Sequence, residues 1–88
     1  METDNKYHII VPKICAKEFK KIPKLWLEKI AKAINLLETD PFFGQKLWGK
    51  LEGKRKIRIP PYRIIYFINT KKRAIYVLHV GHRQGIYK

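Results

Sequence analysis

Three strand-like segments follow one another in the C-terminal half of this 88-residue chain. Residues 54–59 alternate basic and apolar side chains, residues 62–69 are rich in isoleucine and aromatic residues, and residues 74–80 are again apolar. Pro60-Pro61 separates the first two segments, the polar run 69–73 separates the last two, and Gly81 is expected to end the third. Consecutive strands joined by short turns pair antiparallel, so the sequence predicts an antiparallel meander.

Two helices are predicted before this meander. An apolar stripe at helical spacing follows Pro12 and stops at Pro23, and a second stripe ends near Glu38. The stripes consist of Cys15, Phe19 and Ile22, and then of Trp26, Leu27, Ile30, Ala33, Ile34 and Leu37. A short strand over residues 7–11 precedes both helices. The order β-α-α-β-β-β predicts one α+β domain over residues 1–88, with a helical hairpin on one face of a mostly antiparallel sheet and the other face largely open.

The segment between the helices and the meander, residues 42–53, is predicted to be a connector. Gly44, Gly49 and Gly53 mark it as irregular backbone. We expect the large apolar residues in it to fill the core: Leu47, Trp48 and Leu51.

Charge is the strongest indication of function. The formal net charge is +13, and self-repulsion of that size favours a polyanionic partner: nucleic acid, an anionic membrane or an acidic protein. All five arginines lie in the C-terminal stretch that begins after Glu52 and contains no acidic residue. The planar guanidinium binds two phosphate oxygens at once, which indicates a phosphate site in this half. The alternative is that arginine tolerates half-buried strand positions better than lysine.

The composition excludes several classes of site. The chain has no serine, one cysteine and two aspartates, so it lacks a serine nucleophile, a cysteine-based zinc site and a carboxylate cluster for two metals. No apolar run has the length of a membrane span, and the polar N-terminus is unlike a signal peptide. We therefore predict a cytoplasmic protein with no membrane partner and no bound metal.

The basic side chains of the predicted strands fall into a pattern. Alternation places Lys56 and Arg58 on the face opposite Ile57, and Arg63 is their neighbour across the proline turn. Arg83 follows the last strand, so these cations are expected to converge on the open face, with Tyr87 at its rim. Cations for phosphates and a ring for base stacking suit single-stranded RNA. A solvated sheet face with scattered charges is the alternative.

Several short motifs resemble the RelE/ParE toxin superfamily, and specifically its RelE branch. They are Leu-Trp-Gly-Lys-Leu at 47–51, Tyr-Arg-Ile-Ile-Tyr at 62–66, Val-Gly-His-Arg at 80–83 and Ile-Tyr at 86–87. The resemblance implies a toxin of a toxin–antitoxin pair that cuts messenger RNA in the ribosomal A site. It also implies attack by the ribose 2′-hydroxyl on the adjacent phosphate, without a metal or other cofactor.

The resemblance also implies roles for individual residues. Lys56 matches a lysine with general-base and phosphate roles, and Arg63 matches an arginine that clamps the phosphate. Arg83 matches the arginine assigned to transition-state charge or leaving-group protonation, and Tyr87 matches the tyrosine that stacks on the substrate base. Further RNA contacts are expected from Lys54, Arg55, Arg58 and His82.

The sequence leaves open which residue is the base and where Tyr87 lies. Arg58 occupies a position that is usually lysine and cannot serve as a base, because arginine stays protonated. The base is therefore Lys56 or His82, since histidine changes charge near physiological pH. The spacing from Arg83 to Tyr87 is shorter than in the best-known members, which leaves the placement of Tyr87 open.

The resemblance implies partners and leaves alternatives. The partners are an acidic RelB-like antitoxin, expected in a toxin–antitoxin heterotetramer, and the ribosome with its messenger RNA. One alternative is a ParE-like toxin that binds DNA gyrase and cuts nothing. Another is a non-catalytic RNA- or ribosome-binding relative of the same fold.

Overall fold

A computed structural model describes residues 6–49 and 53–82 of the chain. Two helices pack on one face of a five-stranded sheet, which confirms the predicted α+β class. In chain order the elements are β1 (His8–Ile10), α1 (Lys13–Phe19), α2 (Lys24–Leu36), β2 (Gln45–Lys46), β3 (Lys54–Ile59), β4 (Tyr62–Asn69) and β5 (Ala74–His82). None of the helices in the described ranges is long and apolar enough to cross a membrane.

The strand order in the sheet is β1-β5-β4-β3-β2. The antiparallel pairing of β3, β4 and β5 confirms the predicted meander. Strand β1 lies parallel to β5, because the chain returns through the helical hairpin before the meander begins. Strand β2 pairs with β3 at the other edge and was not predicted, since two polar residues carry no periodic signal.

Proline marks the start of both helices. The carbonyl oxygen of Pro12 accepts from the Ala16 N–H at 2.9 Å, and that of Pro23 accepts from the Leu27 N–H at 2.9 Å. Both prolines have φ near −60°, which suits the residue that leads into a helix. The predicted start of the second helix at Pro23 is therefore confirmed, whereas the first helix ends earlier than predicted, at Phe19.

The core lies between the helical hairpin and one face of the sheet, here called the helix-side face. Its sheet side chains are Ile57, Ile64, Tyr66, Ile75, Val77 and Val80, and the helical hairpin with its turns contributes Cys15, Ile22, Ile30, Ile34 and Leu37. These hairpin residues belong to the two predicted stripes. Spacing alone was enough to find them, because each helix has only one side facing the sheet.

A β-bulge in β5 decides which side chains face the core near its end. Ile65 of β4 pairs with His79, but the next residue, Tyr66, pairs with Val77, so Leu78 is an extra residue. The extra residue lets both Val77 and Val80 be buried although they are three positions apart. Gly81 does not end the strand as predicted, because Arg63 and Tyr62 of β4 pair with Gly81 and His82.

The connector packs differently from the prediction. Trp48 is 72% exposed, so its assignment to the core was wrong; Leu47 is half-buried, and Leu51 lies outside the described residues. The hydroxyl of Tyr66 instead fixes the connector, since it donates to the Pro41 carbonyl at 2.9 Å and accepts from the Gly44 N–H at 2.9 Å.

The backbone at Gly44 approaches the sheet too closely for any side chain. A Cβ at this position would lie 2.6 Å from the Tyr66 hydroxyl and 2.9 Å from the Lys56 carbonyl oxygen. Glycine is therefore required here for space.

Candidate nucleic-acid interface

A row of cations runs along β3 on the face of the sheet that points away from the helices, here called the open face. Ile57 is buried on the helix-side face, so Lys54, Lys56 and Arg58 point the other way. Residues two apart on a strand are about 6.6 Å apart, so the three cations are evenly spaced. We call these three residues the cation row.

Arg63 joins the cation row from the neighbouring strand. The register of β3 and β4 places Arg58 directly opposite Arg63, Lys56 opposite Ile65 and Lys54 opposite Phe67. Directly opposed side chains have Cβ atoms about 5 Å apart, and like charges in that position destabilise the sheet. The Arg58–Arg63 pair, with Arg58 exposed and Arg63 half-buried, is therefore a place where a bound anion would relieve repulsion.

Apolar and aromatic side chains lie beside the cations on the open face. Ile65 is only 1% exposed although it faces away from the helices. Phe67 is 38% exposed and its ring lies 6.3 Å from that of Tyr76 on β5. This aromatic pair beside Lys54 was not identified from the sequence, although the alternation of β4 and β5 carries the signal for it.

Arg55, which was expected to contact RNA from the same strand, lies on the helix-side face. Its Nη1 donates to the carbonyl oxygens of Gly44 at 2.7 Å and Phe42 at 3.2 Å, and its guanidinium lies 5.1 Å from the Phe42 ring centroid. The alternation that places Ile57 in the core also places Arg55 on that side. The structure therefore separates Arg55 from the cation row.

His82 also lies on the helix-side face. It pairs with Tyr62 and meets that ring edge-on, with centroids 5.9 Å apart, and Tyr62 in turn lies 6.1 Å from Trp26. Both His82 and Tyr62 line a cavity of about 350 Å³ that also includes Glu18, whose Oε1 accepts from the Val80 N–H at 3.3 Å. The sheet itself therefore separates His82 from Arg63.

Two of the expected site residues, Arg83 and Tyr87, lie outside the described residues. The four that the structure brings to one surface are Lys54, Lys56, Arg58 and Arg63. Among the described residues, no three His, Cys, Asp or Glu side chains are grouped as metal ligands would be.

Comparison with known proteins identifies relatives of the whole chain. The sequence model of a family described as the ParE toxin of the type II toxin–antitoxin system parDE matches residues 9–87. A curated relative, Toxin RelE of Mycobacterium tuberculosis, is 28% identical over 94 residues, an alignment that covers 100% of this chain and 93% of the relative.

Solved structures show the same fold. The toxin–antitoxin complex RelBE2 of Mycobacterium tuberculosis contains a chain with a TM-score of 0.80 and 24% identity, covering 89% of this chain and 99% of that one. The archaeal RelE–RelB complex of Pyrococcus horikoshii contains a chain with a TM-score of 0.75 and 27% identity, covering 89% of this chain and 96% of that one. With a family match over nearly its whole length, the chain belongs to the ParE toxin family of type II toxin–antitoxin systems, within the RelE/ParE superfamily.

Proposed function

We propose that this toxin is a ribosome-dependent endoribonuclease that cuts messenger RNA in the A site and thereby inhibits translation. The observation that carries the proposal is the Arg58–Arg63 pair, next to Lys56 on a sheet face that the helices do not cover. Directly opposed arginines repel each other, and a backbone phosphate is an anion that guanidinium groups bind through two oxygens at once. The similarity to Toxin RelE over the full chain supports the same proposal.

The proposed reaction needs three groups around one phosphate. The ribose 2′-hydroxyl oxygen attacks the adjacent phosphorus while a base takes its proton, and the bond from phosphorus to the 5′-oxygen breaks. The leaving 5′-oxygen takes a proton from an acid. The products are a 2′,3′-cyclic phosphate and a 5′-hydroxyl. Fixed positive charges stabilise the extra negative charge of the phosphorane.

The open face supplies candidates for two of these tasks. Arg63 and Arg58 are placed to bind the non-bridging phosphate oxygens. Lys56 is the neighbouring side chain on the same face of β3, two residues before Arg58. Lys56 shares a face with Arg63 and His82 does not, which favours Lys56 over His82 as the base. In this proposal Arg83 protonates the leaving oxygen or stabilises its charge, and Tyr87 stacks on the base.

The proposed protein partner is an acidic RelB-like antitoxin, assembled with the toxin as a heterotetramer in the cytoplasm. The net charge of +13 favours an acidic partner by simple attraction. Two of the structural relatives are themselves chains of complexes, one named RelBE2 and one named RelE–RelB. Co-purification of the toxin with an acidic protein from its own cells is the expected result.

A second candidate is a toxin that binds DNA gyrase without cutting RNA. It is favoured by the description of the matching family, which names the ParE toxin. The two candidates differ in whether RNA is cut, because the gyrase-binding candidate leaves every messenger intact.

One experiment separates the candidates. Purified toxin is added to translating ribosomes on a defined messenger, and the new 5′ ends are mapped with and without ribosomes. In parallel, gyrase supercoiling is measured with the same toxin preparation. Cuts inside A-site codons that require ribosomes, with unchanged supercoiling, are expected; intact messenger together with inhibited supercoiling would favour the gyrase-binding candidate.

A further inference from the structure

The connector leaves three large aromatic rings on the surface, those of Phe42, Phe43 and Trp48, and two of them line the same cavity. Trp48 is 72% exposed and Phe42 is 53% exposed. Together they line a cavity of about 310 Å³ with Lys46, Arg55, Ile68 and Thr70, here called the connector pocket. Its size lies at the small end of the range for ligand sites, which suits one planar group rather than a folded partner.

Each ring of the connector pocket carries a cation. The Lys46 Nζ lies 5.8 Å from the centroid of the Trp48 ring, and the Arg55 guanidinium lies 5.1 Å from that of Phe42. The described lining residues include no Asp or Glu. An exposed ring flanked by positive charge is the combination that binds unpaired nucleotides, since the base stacks and the phosphate is attracted.

The connector pocket lies apart from the Arg58–Arg63 pair. Lys46, on the edge strand β2, pairs with Arg55 on the helix-side face, whereas Gln45 pairs with Lys56 on the open face. Ile68 is five residues beyond Arg63 on β4, a distance of about 17 Å along an extended strand. Lys54 and Lys56 of the cation row lie along that interval on the opposite face of the sheet.

We propose that the connector pocket binds an unpaired base of single-stranded RNA, with that base stacked on Trp48. The inference rests on the proposed function for the identity of the RNA, but it concerns a second contact that takes no part in the cleavage. Stacking on a ring is tolerant of sequence because every base has an aromatic face. An acidic peptide is the less favoured occupant, because its carboxylates would use the two cations and leave the exposed Trp48 ring without a stacking partner.

The two tryptophans make the pocket directly observable. Trp26 is half-buried against Tyr62, so the variant Trp26→Phe leaves Trp48 as the only indole. This variant is titrated with an unstructured oligouridine, with inorganic polyphosphate of the same total charge, and with polyglutamate. Oligouridine is expected to quench the Trp48 emission, and polyphosphate of equal charge is expected to leave it nearly unchanged because it has no base to stack.

A second measurement gives the size of the contact. Binding of a labelled oligouridine by Trp48→Ala is expected to be about tenfold weaker than by the unchanged protein, as for the loss of one base–ring stack. Trp48→Phe keeps a ring and should retain most of the affinity. Leu25→Ala removes another exposed apolar side chain (62%), from α2, and serves as the matched control, with no expected change.

Other outcomes would overturn the proposal. Equal quenching by polyphosphate and oligouridine would mean that the pocket responds to charge alone. A response to polyglutamate but not to oligouridine would assign the pocket to an acidic protein. None of these titrations requires cleavage. Quenching by oligouridine without ribosomal cleavage would therefore reject only the proposed function. Cleavage without quenching would reject only the proposal that the connector pocket binds a base.

Discussion

Arg55 and Arg58 lie three residues apart on β3 and have opposite surroundings. Arg55 faces the helix side, where it donates to two backbone carbonyl oxygens of the connector. Arg58 is exposed on the open face and lies directly opposite Arg63. The first arginine holds a segment of the fold in place, and the second adds to a repulsive cluster that an anion would relieve. Residue type alone therefore does not decide the role of a cation; the face of the strand decides it.

The largest expected effect concerns the open face. Replacing Arg63 by Ala should lower the rate of messenger cleavage on ribosomes by a factor of about 10²–10³, the usual cost of losing one fixed charge donor. Lys71→Ala removes a charge from the exposed β4–β5 turn and is the matched control. Single-turnover cleavage rates measure both variants. Full activity of Arg63→Ala would remove this residue from the site.

The next largest effect concerns the helix-side face. Tyr66→Phe leaves the Gly44 N–H and the Pro41 carbonyl without their hydroxyl partner, at about 1–3 kcal/mol for a buried group left unsatisfied. The melting temperature should fall by about 10 °C, since 1 kcal/mol corresponds to about 4–8 °C in a domain of this size. Tyr76→Phe, on the open face, is the control. An unchanged melting temperature for Tyr66→Phe would show that the connector does not depend on this hydroxyl.

The stability contributed by the helix-side face is expected to fall at alkaline pH. Burial, and then the negative charge of Glu18, raise the pKa of the Cys15 thiol from 9.0 to about 11, and burial is the main cause that raises the pKa of Tyr66 above 10.0. The folded chain thus keeps a proton that the unfolded chain loses above pH 9. Stability from this source is complete below pH 9 and is lost as pH rises towards 11, by about 1–2 kcal/mol for Cys15.

Denaturant titrations at pH 8 to 11 measure how steeply the free energy of unfolding falls as the pH rises. Loss of lysine charge affects stability over the same range, so the comparison is with Cys15→Ala, in which only the thiol contribution is missing. The unchanged protein should lose stability more steeply than Cys15→Ala. Parallel curves would show that the thiol titrates alike in both states.

The smallest expected effects have opposite signs for the two arginines of β3. Arg55→Ala should lower the free energy of unfolding by about 1 kcal/mol, because two connector carbonyl oxygens lose a donor near the surface. Arg58→Ala should raise it by a few tenths of a kcal/mol, because it removes a like charge opposite Arg63. Urea titrations of both variants measure the difference. A loss of stability in Arg58→Ala equal to that in Arg55→Ala would contradict the assignment of the two faces.

The fold was largely predictable because its signals are periodic. The stripes from Cys15 to Leu37 and the alternation around Ile57 each repeat a spacing that only one secondary structure satisfies. The bulge at Leu78 was not predictable, since it arises from the packing of Val77 and Val80 against the helices. Trp48 was assigned to the core because of its size, but it is exposed, and the buried Tyr66 hydroxyl holds the connector to the sheet instead.

The candidate site was predictable to the extent that it follows from alternation. Lys56, Arg58 and Arg63 were expected on one face, and the register places them there. Arg55 was predicted to contact RNA because of its charge. The same alternation, however, places it on the other face of β3 from Lys56 and Arg58. The side of the sheet on which His82 lies depends on the bulge, so no sequence pattern could have located it.

Cleavage by attack of the ribose 2′-hydroxyl is tested most sharply by changing a single sugar of the messenger. A messenger is positioned on ribosomes with either ribose or 2′-deoxyribose on the 5′ side of the A-site bond, and single-turnover cleavage by the toxin is followed. We expect cleavage of the ribose messenger with a 2′,3′-cyclic phosphate end, and no cleavage at the deoxy position. Cleavage of both messengers at equal rates, or of neither, would contradict the proposed 2′-hydroxyl attack.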